Sequence, residues 1–208
     1  MTLVIATTNR DKLREIRALL ADVPVTLQSL ADHPPMPEPE ETGATFEANA
    51  RIKATTYAAA LHAALDDDVL LVAEDSGLAV DALEGAPGVH SARFLGAEAT
   101  YAARFAEINR RLAAQPDAPR TARFVCSLVA ADRQGTVRFE TRGVIEGRIA
   151  AAPAGHGGFG YDPIFFYPPY GRTLAEVSSE EKRAVSHRGQ AFRAFVAWLR
   201  TTGRSPST

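Results

Sequence analysis

The chain has 208 residues, of which 46% are hydrophobic and 23% charged, and its net charge is −2 at pH 7. This composition is typical of a globular protein. It excludes a disordered chain, a collagen-like chain and a disulfide scaffold, and the slight acidic balance disfavours a nucleic-acid polymer as partner. The single cysteine, Cys126, predicts a reducing compartment, and no apolar stretch reaches the ~18–20 residues of a membrane span, so we expect a cytoplasmic protein without a membrane segment.

The first third of the chain alternates strand and helix patterns. Apolar β-branched runs predict strands at 2–6 and 25–30, and Asn9 is a suitable N-cap for a helix between them. Residues 33–41 contain four prolines and predict a loop. Residues 45–65 carry an apolar stripe in an alanine-rich background, which predicts a long helix.

The rest of the chain adds a hairpin to this alternation. The patterns predict a strand at 69–73 that ends in Glu74-Asp75-Ser76-Gly77, a brief continuation at 78–80, a helix at 99–114, strands at 122–131 and 136–147, a glycine-rich loop at 153–162, a strand at 164–167 and a last helix at 189–201. The two long strands predict an antiparallel hairpin with its turn near Gln134-Gly135. The mixture predicts an α/β fold with a mixed sheet, followed by a disordered tail at 203–208.

Lysine is rare in this chain. Among 23 basic residues only Lys12, Lys53 and Lys182 are lysines. A lysine offers a compact point charge where arginine offers a planar fork. Each of the three is therefore a candidate for a site that needs an ammonium group, with chance as the alternative.

The turn at 7–12 is a candidate phosphate site. A strand that runs into a helix N-terminus exposes backbone N–H groups and the positive end of the helix dipole. Two hydroxyls, an amide, an arginine and Lys12 lie in these six residues. An ordinary capped turn explains the pattern equally well, and no P-loop motif is present.

Acidic residues form a second candidate site. Glu40 and Glu41 precede the long helix, and Glu74 and Asp75 follow an apolar strand. Carboxylates beside a phosphate site suit Mg²⁺, and a carboxylate there can also take a proton from water. Solvated acidic turns are the alternative, which is favoured for Glu40 alone and disfavoured for Asp75.

Two later segments offer groups for nucleotide recognition. Residues 155–160 match G-x-G-x-x-G by letter, but no helix can follow, so a dinucleotide-binding fold is rejected. That loop presents Phe159, whose ring can stack on a base or pack in the core. Residues 178–188 place Lys182 near His187 and Arg188, with a solvated helix face as the alternative.

Together, and in this order, five segments resemble the signature blocks of one family. The segments are TTN-x-x-K, EETGATFEANA-x-x-KA, DSGLAVDALEGAPGVHSAR, GGFGYDPIF and EEKRAVSHRG, and they run from residue 4 to about residue 190. The family is that of the non-canonical purine nucleoside triphosphate pyrophosphatases, also called dITP/XTP pyrophosphatases or inosine triphosphatase-like enzymes.

The resemblance implies a fold and an activity. The fold would be an elongated mixed sheet with flanking helices and two lobes that enclose a central cleft, as a single domain over 1–202. The activity would be hydrolysis of ITP, dITP and XTP to the monophosphate and pyrophosphate, with Mg²⁺ and attack of water on the α-phosphorus. The resemblance also implies a homodimer that clears the cellular nucleotide pool.

The resemblance further implies site residues. Asp75 matches the catalytic, metal-binding aspartate, and Glu41 matches a second metal ligand. The implied substrate-binding positions are Thr7, Thr8, Asn9, Arg10, Asp11, Lys12, Lys53, Ser76, Phe159, Gly160, Tyr161, Asp162, Lys182, His187 and Arg188. On this assignment His187 and Arg188 donate hydrogen bonds to the oxygen at C6 of the purine, where adenine has an amino group.

Two departures from the family pattern concern the site. The family commonly has two aspartates before Ser-Gly, whereas this chain has Glu74 and then Asp75, which leaves the role of the first acid open. Thr8 stands where the family often has glycine, and it would be strained if that position needed a positive φ. Two other functions stay open: hydrolysis of modified pyrimidine triphosphates, and nucleotide sensing without turnover.

Overall fold

The computed structural model describes residues 1–202, and the tail predicted at 203–208 lies outside them. Its longer elements in chain order are β1 (Thr2–Ile5), α1 (Arg10–Leu19), β2 (Thr26–Ser29), α2 (Phe46–Leu61), β3 (Val69–Val80), α3 (Tyr101–Ala113), β4 (Thr121–Asp132), β5 (Val137–Ile149), β6 (Phe165–Tyr167), β7 (Arg172–Thr173), α4 (Ser179–Val185) and α5 (His187–Thr201). No helix in this part of the chain is long and apolar enough to cross a membrane.

The strands of residues 1–202 form a sheet in the order β2-β1-β3-β4-β5-β6-β7. β1 pairs in parallel with β2 and β3, whereas β6 pairs antiparallel with β5 and β7. β4 and β5 are joined by the predicted tight turn, in which Gly135 has a φ of 80° and Asp132 N–H donates to the Thr136 carbonyl. The predicted α/β class with a mixed sheet and flanking helices is confirmed.

The chain folds into two compact units, each with most of its residue contacts inside the unit. Unit 1 comprises Met1–Asp75, Cys126–Gly143 and the chain from Arg188 onward; unit 2 comprises Ser76–Val125 and Val144–His187. The predicted central cleft and the single two-lobed domain stay predictions.

Unit 1 has a hydrophobic cluster on each face of its strands. One cluster joins Leu70, Val72 and Cys126 to side chains of α1 and α5, and the other joins Leu71 and Ala73 to side chains of α2. Alternate residues of β3 therefore point to opposite faces, as the period of a strand requires. The same alternation directs Glu74 toward α1 and α5 and Asp75 toward α2.

In unit 2, one hydrophobic cluster joins α3 to the strands. Its fully buried members include Leu78, Ile108, Phe165 and Leu174. Tyr161 packs in this cluster, and its hydroxyl donates to the Ser91 carbonyl over 2.9 Å. The glycine-rich loop is thus anchored at its C-terminal end.

The prediction that the third strand ends at residue 73 is wrong, because β3 continues without a break to Val80. Gly77, which was predicted to lie at the end of the strand, is an interior strand residue that packs closely on Ser91: a Cβ at Gly77 would lie 2.3 Å from the Ser91 Oγ. The pairing of β1 with β3 ends at the pair Ile5 and Val72. Asp75 therefore lies in the middle of β3, yet beyond the carboxyl end of the neighbouring parallel strand.

Two helix boundaries also differ from the predictions. The helix predicted over 45–65 is α-helical only from Phe46 to Leu61 and then tightens into a 3₁₀ turn at His62–Ala64. Its N-cap is Thr45, whose hydroxyl accepts a hydrogen bond from the Ala48 N–H. The last helix begins at His187, two residues before the predicted start.

Candidate active site

The first turn of unit 1 is a capped helix start, as predicted. The Asn9 Oδ1 accepts hydrogen bonds from the backbone N–H groups of Asp11 and Lys12 at 2.9 and 3.0 Å. The Thr7 hydroxyl accepts from the Asn9 N–H. Thr8 carries no strain, because the non-glycine residues with positive φ within 1–202 are Glu84 and Leu95. Phosphate binding at this turn stays a prediction.

Lys53 connects the two predicted metal ligands. Its Nζ lies 2.8 Å from Glu41 Oε1 and 2.9 Å from Asp75 Oδ1, and the lysine side chain is 8% exposed. Burial opposes the charge of this ammonium, but the carboxylates of Asp75 and Glu41 outweigh it and raise the pKa of Lys53. The structure thus brings together Glu41, Lys53 and Asp75, although Glu41 lies on a loop, Lys53 on α2 and Asp75 on β3.

Asp75 is a buried carboxylate with a perturbed ionisation. Burial raises its pKa above the ordinary value, against the opposing effect of the Lys53 and Lys12 ammonium groups. A buried carboxyl with a raised pKa beside a cation is typical of proton-transfer sites. Its raised pKa therefore suits Asp75 to accept a proton.

Asn49 is a member of this cluster that the sequence analysis did not single out. It is fully buried; its Nδ2 donates to Asp75 Oδ2 at 3.4 Å and its Oδ1 accepts from the Gly43 N–H at 2.8 Å. A signal was present in the sequence, since Asn49 interrupts an alanine-rich helix one turn before Lys53 and asparagine is a weak helix former.

Glu74 serves a separate buried cluster on the other face of β3. Its carboxylate accepts from Lys12 Nζ at 3.1 Å, from the Arg188 Nε and Nη2 at 3.1 and 2.9 Å, and from the Cys126 thiol at 2.8 Å. Arg188 Nη1 also donates to Glu15 Oε2 at 2.6 Å. Glu74, which stands where the family commonly has an aspartate, therefore forms ion pairs with two cations, Lys12 and Arg188. Asp75 instead belongs to the cluster of Glu41, Lys53 and Asn49, called the Lys53 cluster below.

The ionisation of the Glu74 cluster follows from its charges. Burial alone would raise the pKa of Glu74, but Arg188 and Lys12 outweigh it and hold that pKa well below its ordinary value. Burial raises the pKa of the Cys126 thiol. Cys126 is a fully buried free cysteine that packs in the hydrophobic core of unit 1.

The structure places Arg188 among acidic partners. The residue is 1% exposed, and its guanidinium lies on Glu74 and Glu15. These contacts make it a counter-ion of the unit 1 core, and its predicted contact with the base stays a prediction. Lys182 and His187 are also buried, so a solvated helix face does not describe these residues.

In unit 2 the glycine-rich loop is folded around a buried ion pair. Asp162 Oδ2 accepts from Lys182 Nζ at 2.5 Å and from the Phe159 N–H at 2.7 Å. The Lys182 ammonium lies 4.8 Å from the centre of the Phe159 ring. Gly158 has a φ of 65°, and a Cβ there would lie 2.0 Å from Asp162 Oδ2, so only glycine fits.

Four further predicted site residues lie in unit 2. Phe159 is half-buried, so it does not pack in the core as the alternative proposed, and Gly160 beside it has a φ of 66°. His187 stacks on Phe124 with ring centres 4.8 Å apart. Ser76 is half-buried on β3 directly after Asp75. A role for these groups in nucleotide binding stays a prediction.

Comparison with known proteins finds similarity along almost the whole chain. The model of the Ham1 family matches residues 3–198. A dITP/XTP pyrophosphatase of an Exiguobacterium species is 48% identical over 95% of this chain and 96% of its own length. One of Geobacter sulfurreducens is 48% identical over 91% of this chain and 92% of its own.

Solved structures agree with these matches. A HAM1 protein from Coxiella burnetii superposes with a TM-score of 0.82 at 39% identity, covering 97% of this chain and 99% of its own. The Ham1 protein of Staphylococcus aureus gives a TM-score of 0.83 at 34% identity, over 97% of this chain and 100% of its own. The similarity includes segments of both units.

Proposed function

The chain belongs to the Ham1 family, and from this premise and its buried carboxylate cluster we infer that it hydrolyses non-canonical purine nucleoside triphosphates. It is a nucleoside triphosphate pyrophosphatase. The observation that carries the proposal is the Lys53 ammonium held between Glu41 and Asp75. The proposed substrates are ITP, dITP and XTP, and the proposed products are the nucleoside monophosphate and pyrophosphate.

Two ammonium groups are proposed to bind the phosphates. Lys53 and Lys12 each contact a carboxylate in unit 1, which holds both side chains in place in the absence of substrate. A triphosphate carries several negative charges and favours such cations together with a helix N-terminus, which α1 supplies. Positioning and charge stabilisation supply most of the catalysis in phosphoryl transfer.

The proposed cofactor is Mg²⁺, held by Glu41 and Asp75. Within residues 1–202, no group of three or more His, Cys, Asp or Glu side chains could hold a metal alone. The carboxylate pair still fits Mg²⁺, because this ion commonly uses one or two carboxylates and takes its other ligands from water and phosphate. When bound, it supplies Lewis-acid stabilisation of charge on the phosphate oxygens.

Asp75 is proposed to accept a proton from the attacking water. Its raised pKa makes it a stronger base than an exposed aspartate. The water attacks the α-phosphorus and pyrophosphate leaves, so the oxygen from water ends on the monophosphate. Lys53 stays beside Asp75 Oδ1 and keeps this carboxylate charged before the reaction.

Base recognition is proposed for residues of the second unit. The half-buried Phe159 ring offers a face for stacking, worth ~1–3 kcal/mol per base. His187 offers a ring N–H as a donor to the C6 oxygen of hypoxanthine or xanthine. Adenine places an amino donor at that position, so both donors would lose their partners, at ~1–3 kcal/mol each.

Rates on ITP, XTP, GTP, ATP and a modified pyrimidine triphosphate, measured side by side by pyrophosphate release, test this function. We expect ITP and XTP to be preferred over ATP by about 10²-fold or more, since several such mismatches can discriminate by up to ~10⁴. Equal rates on ATP and ITP would contradict the base-recognition proposal. Guanine also has an oxygen at C6, so the rate on GTP shows whether its 2-amino group is rejected. Preference for modified pyrimidine triphosphates, or tight ITP binding without turnover, would select one of the two other functions.

A cytoplasmic homodimer is proposed from the family resemblance. The large hydrophobic side chains exposed within residues 1–202 are Leu95, at 48%, and Tyr101, at 40%, both in unit 2. They are candidates for the contact with a second copy.

The variant Leu95→Glu tests the dimer. A charge in an apolar interface costs several kcal/mol, so the variant should shift from dimer to monomer. Light scattering over a concentration series measures the mass, and Leu95→Met serves as the matched apolar control. A wild-type chain that stays monomeric at all concentrations contradicts the proposed dimer.

A further inference from the structure

Asn49 is a polar side chain with no access to solvent. It lies at the fourth residue of α2 and is 0% exposed. A buried amide is costly unless its donors and its acceptor are hydrogen-bonded. An apolar residue would cost less in this alanine-rich helix, so the partners of the amide indicate why it is there.

The orientation of the Asn49 amide is determined by its partners. The Gly43 backbone N–H can only donate, so the atom that faces it must be the oxygen, Oδ1, at 2.8 Å. The NH₂ group then faces Asp75 Oδ2, a carboxylate oxygen that accepts. A flipped amide would place donor against donor and oxygen against oxygen. The contact with Asp75 is therefore a directed N–H donation.

This one side chain is bonded to both parts of the carboxylate cluster. Gly43 follows Glu41 by two residues, and a Cβ at Gly43 would lie 2.6 Å from the Asn49 oxygen, so the loop packs tightly there. Lys53, one helical turn later on the same face of α2, bonds Asp75 Oδ1, while Asn49 bonds Oδ2. Each oxygen of Asp75 thus has its own donor from α2.

We propose that Asn49 is a positioning residue for the hydrolysis: its NH₂ group sets the orientation of the Asp75 carboxylate, and its oxygen anchors the loop that carries Glu41. The inference rests on the proposed function and adds a residue to it. Asn49 has no contact with substrate in this role and acts through Asp75 and Glu41. Its loss should therefore lower kcat and leave KM nearly unchanged.

Two variants distinguish the hydrogen bond of Asn49 with Gly43 from its hydrogen bond with Asp75. Asn49→Asp keeps an oxygen for the Gly43 N–H but replaces the donor to Asp75 by a like charge; Asn49→Ala removes both bonds. An acidic side chain is tolerated near a helix N-terminus, so the aspartate variant should fold. We expect kcat on ITP to fall about 100-fold in Asn49→Asp, since small misplacements of reacting groups have effects of this size.

Hydrogen exchange supplies a readout that does not depend on activity. The Gly43 amide should stay protected in Asn49→Asp and exchange faster in Asn49→Ala. The matched control is Asn109→Asp, which makes the same substitution in α3, where the side-chain oxygen accepts from Arg120. This control should keep the wild-type kcat.

The outcomes are distinguishable. A kcat of Asn49→Asp that equals the wild-type or Asn109→Asp value, with an active wild type, overturns the positioning role alone. A fall in melting temperature with unchanged kcat per folded molecule overturns it as well, because it shows a structural residue only. A wild-type chain that releases no pyrophosphate from any purine triphosphate refutes the proposed function and this inference together.

Discussion

The variant Asp75→Asn is expected to lower kcat for ITP by about 10³-fold or more with the fold intact. The substitution keeps the size of the side chain and removes its charge. It removes the proton acceptor, whose loss alone is worth about 10²–10⁴-fold, and one of the two carboxylates proposed for Mg²⁺. It also leaves Lys53 with Glu41 as its remaining carboxylate partner among the contacts described above.

Pyrophosphate release under saturating ITP measures this effect, and thermal unfolding verifies the fold. The control is Asp68→Asn, since Asp68 is an exposed partner of the N-terminal amine, remote in its contacts from the Lys53 cluster. That control should have the wild-type kcat. Near-normal turnover in Asp75→Asn contradicts the assignment of Asp75 as the proton acceptor.

The variant Arg188→Leu is expected to destabilise the protein strongly, with its effect centred on unit 1. It leaves the buried Glu74 without its two guanidinium bonds and removes the Arg188 contact of Glu15. Removal of one member of a buried ion pair costs about 3–5 kcal/mol, because the remaining charge stays buried. For a chain of this size, that corresponds to a fall of roughly 6–20 °C in melting temperature.

Unfolding by denaturant measures the cost, and two further variants identify its cause. Arg123→Leu removes a half-exposed arginine that is paired with Asp81 and Glu146, and exposed pairs are worth at most about 1 kcal/mol. The double variant Arg188→Leu with Glu74→Gln should recover part of the loss, because it removes the stranded charge. A loss no larger than that of Arg123→Leu contradicts the account of this cluster.

The loss of unfolding free energy in Arg188→Leu should depend on pH in a defined direction. The folded-state pKa of Glu74 lies well below its ordinary value, so its pairing stabilises the protein above about pH 4.3, the unfolded value, and this stabilisation is lost as the pH falls through the folded pKa. In Arg188→Leu the stranded Glu74 takes up a proton more readily. The difference in unfolding free energy between wild type and variant should therefore shrink below about pH 4.

Local patterns predicted the fold class and several of the elements that position the candidate site. The Asn9 N-cap, the loop before α2 and the β4–β5 hairpin depend on neighbouring residues, and a strand or helix period shows them directly. Each of the three rare lysines contacts a buried carboxylate: Lys12 contacts Glu74, Lys53 contacts Asp75 and Lys182 contacts Asp162. Their predicted contacts with substrate stay predictions.

The features that the sequence did not show depend on contacts between distant residues. Arg188 and Glu74 are 114 positions apart, and nothing local distinguishes a buried counter-ion from a ligand-binding arginine. β3 continues through Glu74 and Asp75 because lysine, arginine and asparagine side chains from α1, α2 and α5 satisfy these acids. Asn49 was missed because its two partners come from a loop and a strand that only the folded chain brings to α2.

Hydrolysis of ITP in water enriched in oxygen-18, followed by mass analysis of both products, tests the proposed reaction most directly. Attack on the α-phosphorus predicts one labelled oxygen in inosine monophosphate and unlabelled pyrophosphate. Label in pyrophosphate, or release of inosine diphosphate with inorganic phosphate, would contradict the reaction that we assign to the Glu41, Lys53 and Asp75 cluster.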